Sequence, residues 1–232
     1  KEKTDELTGK TKRSENLIFP RYHQLDAIRK GLADVKVNKS SQNYLIQHSA
    51  GSGKTNSIAW LAHRLTSLHD DENRIIFDNI VIVTDRVVVD RQLQQAVMGL
   101  EHKAGLIRVM DDKCNSQDLA KALTGNTKII ATTIQKFPYI VDTVKELNKK
   151  HFAVIIDEAH SGQSGRNSAN MNLALSGQAT GDELDTEDKI NAIVEGRKLV
   201  TSASYFAFTA TPKNKTEEMF GSPYEEDGVM KH

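Results

Sequence analysis

Apolar and polar positions along this chain fall into blocks whose period changes from one block to the next. Residues 1–19 are polar and charged until Leu17, Ile18 and Phe19, as expected of a linker or tail from a preceding domain that joins the folded unit at Pro20. Leu25, Ile28, Leu32 and Val35 then recur at helical spacing and predict one amphipathic helix from Arg21. A polar break, Asn38 to Gln42, separates it from the short apolar run Tyr44-Leu45-Ile46, which leads into the glycine-rich Gly51-Ser52-Gly53. A second helix is predicted after that, with Ile58, Leu61, Leu65 and Leu68 on one face. Four further apolar runs follow: 79–84, 128–132, 152–157 and 205–209.

These runs are short, rich in β-branched residues and free of in–out alternation, the mark of strands buried on both faces. Buried strands separated by helical stretches predict an α/β fold, a mostly parallel central sheet with helices on both faces. No internal repeat is visible. Residues 176–189 (SGQATGDELDTEDK) are acidic and turn-rich and predict an exposed loop.

Composition narrows the class. With 27% charged and 38% hydrophobic residues, the chain of 232 residues can bury a globular core. It has no run of about 18 apolar residues, so no membrane helix and no membrane partner is expected. It begins with Lys1 and carries no signal-peptide pattern, so a piece of a longer cytoplasmic protein is expected. The single Cys114 excludes an intrachain disulfide and a cysteine cluster. His23, His63, His69, His102 and His151 show no ligand spacing and are assigned no metal. The formal net charge of +0 lacks the basic excess of many nucleic-acid binders, so any case for nucleic acid rests on motifs and local charge.

The motifs supply it. Ala50-Gly51-Ser52-Gly53-Lys54-Thr55 follows a predicted strand and precedes a predicted helix, the context of a phosphate-binding loop. Gly51 and Gly53 let the backbone of the loop, Ser52 included, turn its N–H groups toward one phosphate, and the helix adds its positive end. Lys54 would reach the β- and γ-phosphates of ATP, and the Thr55 hydroxyl would bind Mg2+. The strict pattern begins with glycine, and His48 stands in that place. About a hundred residues on, the run 152–157 ends in Asp157-Glu158-Ala159-His160. A carboxylate at the end of a buried parallel strand faces the crevice where α/β sheets bind ligands, so Asp157 is expected to hold Mg2+. Glu158 is the expected base or orienter for attacking water, and His160 a link between nucleotide and movement elsewhere. Thr209-Ala210-Thr211-Pro212 after the last run offers hydroxyls, at Thr209 and Thr211, for the same coupling. Upstream, the amide of Gln24 can read the donor and acceptor of an adenine edge.

Arg21-x-x-Gln24, the phosphate-binding loop, the DEAH box and the TATP segment together resemble the first RecA-like domain of superfamily 2 helicases and translocases; the resemblance covers roughly residues 20–221, and 20–232 is expected to be that domain. Within that superfamily the chain most resembles the restriction subunit of type I restriction–modification enzymes. That narrower likeness rests on four stretches: 47–55, 84–93, Ser161-Gly162-Gln163-Ser164-Gly165 after the DEAH box, and 206–213 with Lys215-Thr216 and Phe220-Gly221. The resemblance implies the ATPase motor of a type I site-specific deoxyribonuclease, moving along double-stranded DNA beside modification and specificity subunits. It also implies a nuclease domain before the motor and a second RecA-like domain after it, whose arginine finger would be worth about 10³–10⁵ in rate. Arg86, Thr133 and Lys136 match the family's places of contact with the tracking strand, where a sequence-independent motor touches phosphates. A strand-separating helicase and a nucleotide-binding regulatory module without turnover are the rival functions.

Overall fold

The computed structural model describes residues 2–4, 11–13, 18–49, 51–84, 91–100, 105–110, 114–133, 150–157, 203–210, 212, 224–226 and 229–231. Its elements are β1 (Glu2–Thr4), β2 (Thr11–Arg13), α1 (Tyr22–Asn38), β3 (Asn43–Gln47), α2 (Lys54–Thr66), β4 (Asn79–Thr84), α3 (Arg91–Met98), β5 (Ile107–Val109), α4 (Ser116–Thr124), β6 (Ile129–Thr133), β7 (Phe152–Asp157), β8 (Ala203–Thr209), β9 (Tyr224–Glu226) and β10 (Val229–Lys231). Six strands form one sheet in the order β3-β8-β7-β4-β6-β5, and each neighbouring pair is parallel. β1 pairs with β2, and β9 with β10, as separate antiparallel ribbons. The predicted loop at 176–189 lies outside the described residues.

The apolar runs are sorted between two layers by the pleat, which turns successive side chains to opposite faces. Val81 and Val83 of β4 pack with Leu119, Ala122 and Leu123 of α4. Ile80 and Ile82, between and beside them, pack with the apolar stripes of α1, α2 and α3. Each central strand therefore needs an apolar residue at every position, which is why no alternation shows in the sequence. The connections explain the sides. α2 and α3 link β3 to β4 and β4 to β5, both moving the same way across the sheet, whereas α4 links β5 back to β6. With right-handed crossovers, reversing the direction places the helix on the other face. The mostly parallel sheet with helices on both faces, the expected RecA-like architecture, is thus present.

α1 carries the predicted stripe, with Ile28, Leu32 and Val35 buried, and starts at Tyr22. α4 is closed at its start by a capping box: Asp118 N–H donates to the Asn115 side chain at 3.0 Å, and Asn115 N–H to the Asp118 carboxylate at 3.1 Å. No described helix is long and apolar enough to cross a membrane.

β8 sits inside the sheet with all seven of its residues buried. Its Phe206 is 0% exposed and stacks on Tyr44 with ring centroids 4.6 Å apart. Phe206→Ala is expected to cost about 3–5 kcal/mol, a large part of a typical total of about 5–15 kcal/mol. Urea unfolding should show a lowered midpoint with an unchanged slope; a midpoint like the parent's would mean that the strand does not carry the core.

Candidate nucleotide site

The loop between β3 and α2 is tied down at both ends. Beyond Gln47, the N–H of His48 donates to the carbonyl of Thr209 at 2.7 Å, extending the β3–β8 pairing by one bond. The N–H of Ser52 donates to the Ser49 carbonyl at 3.1 Å. Gly51 and Gly53 have φ of 74° and 87°, the left-handed region open to glycine. Gly53 caps α2, its carbonyl accepting from Asn56 N–H at 3.0 Å and Ser57 N–H at 3.2 Å. Lys54 and Thr55 open the helix, half-buried, at its positive end.

Gln24 braces the loop from α1. It is 3% exposed, its Nε2 donates to the Gly53 carbonyl at 2.9 Å, and its Oε1 accepts from the Arg21 N–H at 2.8 Å. Both ends of the amide thus hold protein groups, while one N–H of Nε2 and one lone pair of Oε1 are left for a further partner. A Cβ on Gly53 would come within 2.6 Å of Gln24 Nε2. Glycine is required there for its φ and for this close approach.

His48 stands where the strict pattern has glycine. It is 3% exposed, with Nδ1 2.7 Å from Ser52 Oγ. Its ring stands edge-on to His23 at 5.5 Å and tilted against Phe208 at 5.8 Å. His23 reaches the loop too, with Nε2 3.2 Å from the Ser52 carbonyl. Burial first, then the neighbouring His23 and Lys54, hold the His48 imidazole below its ordinary value of 6.5. His23 and His48 are therefore supports of the loop, a role the sequence did not suggest for His23. The two are 25 positions apart in the sequence, and only the packing of α1 against the loop brings them together.

The parallel register lines up the other predicted residues on one rim. Asp157, half-buried at the end of β7, lies opposite Thr84 of β4 and Phe208 of β8. Thr209 lies opposite Gln47, and Thr133 opposite Thr84. Thr209 and Thr133 are both buried. The hydroxyls of Thr84 and Thr132, at the ends of β4 and β6, are buried with no hydrogen-bond partner among the described residues. Glu158, His160, Thr211, Arg86 and Lys136 lie outside the described residues. Among the described residues no three His, Cys, Asp or Glu side chains converge as a metal cage. A helix-start hydroxyl and a strand-end carboxylate fit Mg2+ better, since that ion keeps few protein oxygens and completes its shell with phosphates and water.

A strand, a glycine loop with two left-handed glycines and a helix start, with an acidic strand end on the same rim, make up the kind of edge at which α/β sheets bind ligands. A family model described as SWI2/SNF2 ATPase matches residues 23–226. The chain belongs to the SWI2/SNF2 ATPase family. This SWI2/SNF2 domain is 26% identical over 204 residues to a putative type I restriction enzyme MjaIXP endonuclease subunit of Methanocaldococcus jannaschii, covering 81% of this chain and 16% of that one. It is 28% identical over 169 residues to the C-terminal part of a putative type I restriction enzyme MpnIIP endonuclease subunit of Mycoplasma pneumoniae, covering 66% of this chain and 77% of that one. The domain thus spans only a small part of the M. jannaschii relative. Among solved structures it is similar to a nuclease-deletion mutant of the Type ISP restriction-modification enzyme LlaGI in complex with a DNA substrate mimic. That likeness has a TM-score of 0.50 at 18% identity, over 86% of this chain and 18% of that one, and it shows a shared fold. The family makes the chain an ATP-dependent motor domain of the helicase and translocase kind.

Gly53→Ala is expected to weaken binding of a fluorescent ATP analogue by at least about tenfold, from the left-handed penalty of about 1–2 kcal/mol together with the Gln24 clash. An affinity equal to the parent's would show that the loop geometry does not govern binding. A second expectation concerns pH. With the folded value of His48 below 6.5, the folded domain binds fewer protons than the unfolded chain in the interval between the two. The contribution of neutral His48 is fully present above pH 6.5 and is lost as pH falls through the folded value. Melting temperature should therefore fall less steeply in a His48→Asn variant than in the parent over that interval; equal slopes would remove His48 as the titrating group.

Proposed function

We propose that this chain is the ATP-binding half of a motor that moves along double-stranded DNA within a type I restriction complex. One observation carries the reading: the register of the sheet brings the phosphate-binding loop, Asp157 and Thr209 to a single rim. The named relatives and the residues shared with restriction subunits support the narrower assignment.

In this reading, the N–H groups of Gly51, Ser52 and Gly53 cradle the phosphates and Lys54 meets the β- and γ-phosphates with its charge. Thr55 and Asp157 would hold Mg2+, which would neutralise part of the phosphate charge. Glu158 orients the attacking water and takes its proton. Gln24 offers the adenine edge the second N–H of its Nε2 and the second lone pair of its Oε1. The Thr209 carbonyl accepts the His48 N–H of the loop, so Thr209 could transmit changes there; His160 and Thr211 would extend that path. Arg86 and Lys136 contact DNA phosphates, giving a grip independent of sequence, and Thr133, buried at the end of β6, would support that contact from behind. A nuclease domain and a second RecA-like domain of the same protein, with modification and specificity subunits, complete a cytoplasmic enzyme.

Removing a preorganised charge from the phosphates costs about 10²–10³ in rate, so Lys54→Ala should lower ATP turnover by at least about 100-fold. Glu158→Gln should keep ATP binding while stopping turnover; continued turnover would exclude Glu158 as the water-orienting group. The function itself is tested by triplex displacement on linear duplex DNA, with ATP, using the parent protein and its partner subunits. Displacement of the third strand over a duplex that stays paired supports translocation, whereas unwinding of the duplex would make the protein a strand-separating helicase.

A further inference from the structure

A groove of about 700 Å³ runs between α1, α2 and the segments leading into β5 and β6. Leu106 and Lys128, which precede those strands, place it toward the edge of the sheet away from the phosphate-binding loop. Leu25, Ile28 and Leu32 of α1, with Trp60 of α2, make its inner surface apolar. The apolar surface continues past Pro20, which lines the groove, to Ile18 and Phe19, exposed at 60% and 75%. Apolar surface of this extent with a polar rim marks an interaction site.

The charged residues described on the rim are cations. Arg29 of α1, Arg64 of α2 and Lys128 line the groove, and among the described residues no Asp or Glu does. Arg29 and Arg64 are exposed, and neither guanidinium has an ion-pair partner among the described residues. Lys128 is oriented by a 3.3 Å bond to the Asp78 carbonyl. In a chain of net charge +0, this is a local excess of cations around an apolar floor.

We infer that the groove docks an acidic amphipathic helix of a protein partner. The helix would lay its apolar stripe on Leu25 and Trp60, over the buried Leu32, and its flanking carboxylates would meet Arg29 of α1 and Arg64 of α2. An apolar trough with aromatic and Arg anchors is the surface that amphipathic helices occupy. Nucleic acid is a poorer match, because phosphates seek polar, positive surface and gain nothing from an apolar floor.

The groove carries its own reporter, since Trp60 is the only tryptophan of the chain. A labelled peptide with Leu at i, i+3, i+4 and i+7 and Glu on both flanks is titrated against the chain, followed by anisotropy and by Trp60 emission. A twin peptide carries Lys in place of Glu, and a third has the Leu positions scrambled. The Glu-flanked helix is expected to bind at least about tenfold more tightly than either, and salt should weaken it. The Arg29→Glu/Arg64→Glu double variant changes exposed positions only and should reverse the preference toward the Lys-flanked peptide, with ATP-analogue affinity and circular dichroism unchanged. Equal binding of the three peptides, a variant that keeps the parent's preference, or displacement of the peptide by duplex DNA would overturn the proposal.

Discussion

Strand β8 lies between the strand that leads into the phosphate-binding loop and the strand that ends in Asp157, and its two hydrogen-bonded ladders set how far apart those features stand. Phe208 is opposite Asp157 on one side and Ile46 on the other, and Thr209 then accepts the His48 N–H. Because β8 is buried on both faces, its register is fixed twice. Tyr205 and Ala207 belong to the layer with α4, while Phe206 and Phe208 belong to the layer with α1 and α2. A slip by one residue would exchange these sets and put the smaller residue where a phenylalanine is needed. Core packing in the middle of the sheet is thus what spaces the acid from the loop.

The loop itself is held by protein groups. Left-handed glycines give it the required turn but also the greatest freedom when unfolded. Gln24, His23 and His48 oppose that freedom by bonding to Gly53 and Ser52. A buried imidazole kept neutral suits the position, because it braces Ser52 without placing a second fixed charge beside Lys54. The departure from glycine at His48 is therefore compatible with a formed loop, and it replaces backbone freedom with a side-chain contact.

What the sequence made legible follows from burial. β4 and β7 are covered on both faces, so 79–84 and 152–157 stand out as uninterrupted apolar runs. β5 is an edge strand of three residues, Ile107–Val109, too short to rise above its surroundings, and α3 buries only Leu93 and Val97. At the site, Gln24 and the glycine loop could be found as motifs, because their chemistry sets their spacing. Their contact with each other could not, since it depends on how α1 lies against α2. His23 was passed over for the same reason: its partner is a backbone carbonyl 29 positions away. Net charge was silent about the groove, where cations from two helices and a strand approach gather in space but not in sequence.

α1 connects the two surfaces. Near its start, Gln24 holds the Gly53 carbonyl; along its length, Leu25, Ile28 and Leu32 form a wall of the groove. Neighbouring positions of one rigid helix thus face the nucleotide loop and the docking trough. A bound helix that tilted α1 would lengthen or shorten the 2.9 Å bond from Gln24 to Gly53, and the loop would bind nucleotide with altered affinity. Reciprocity then requires nucleotide to change the affinity of the groove by the same factor. If instead α1 stays fixed on Ile28, Leu32 and Val35, packed with the buried face of α2, the two surfaces act independently. The rigidity of that packing, more than the chemistry of either surface, decides whether a partner in the groove can speak to the motor.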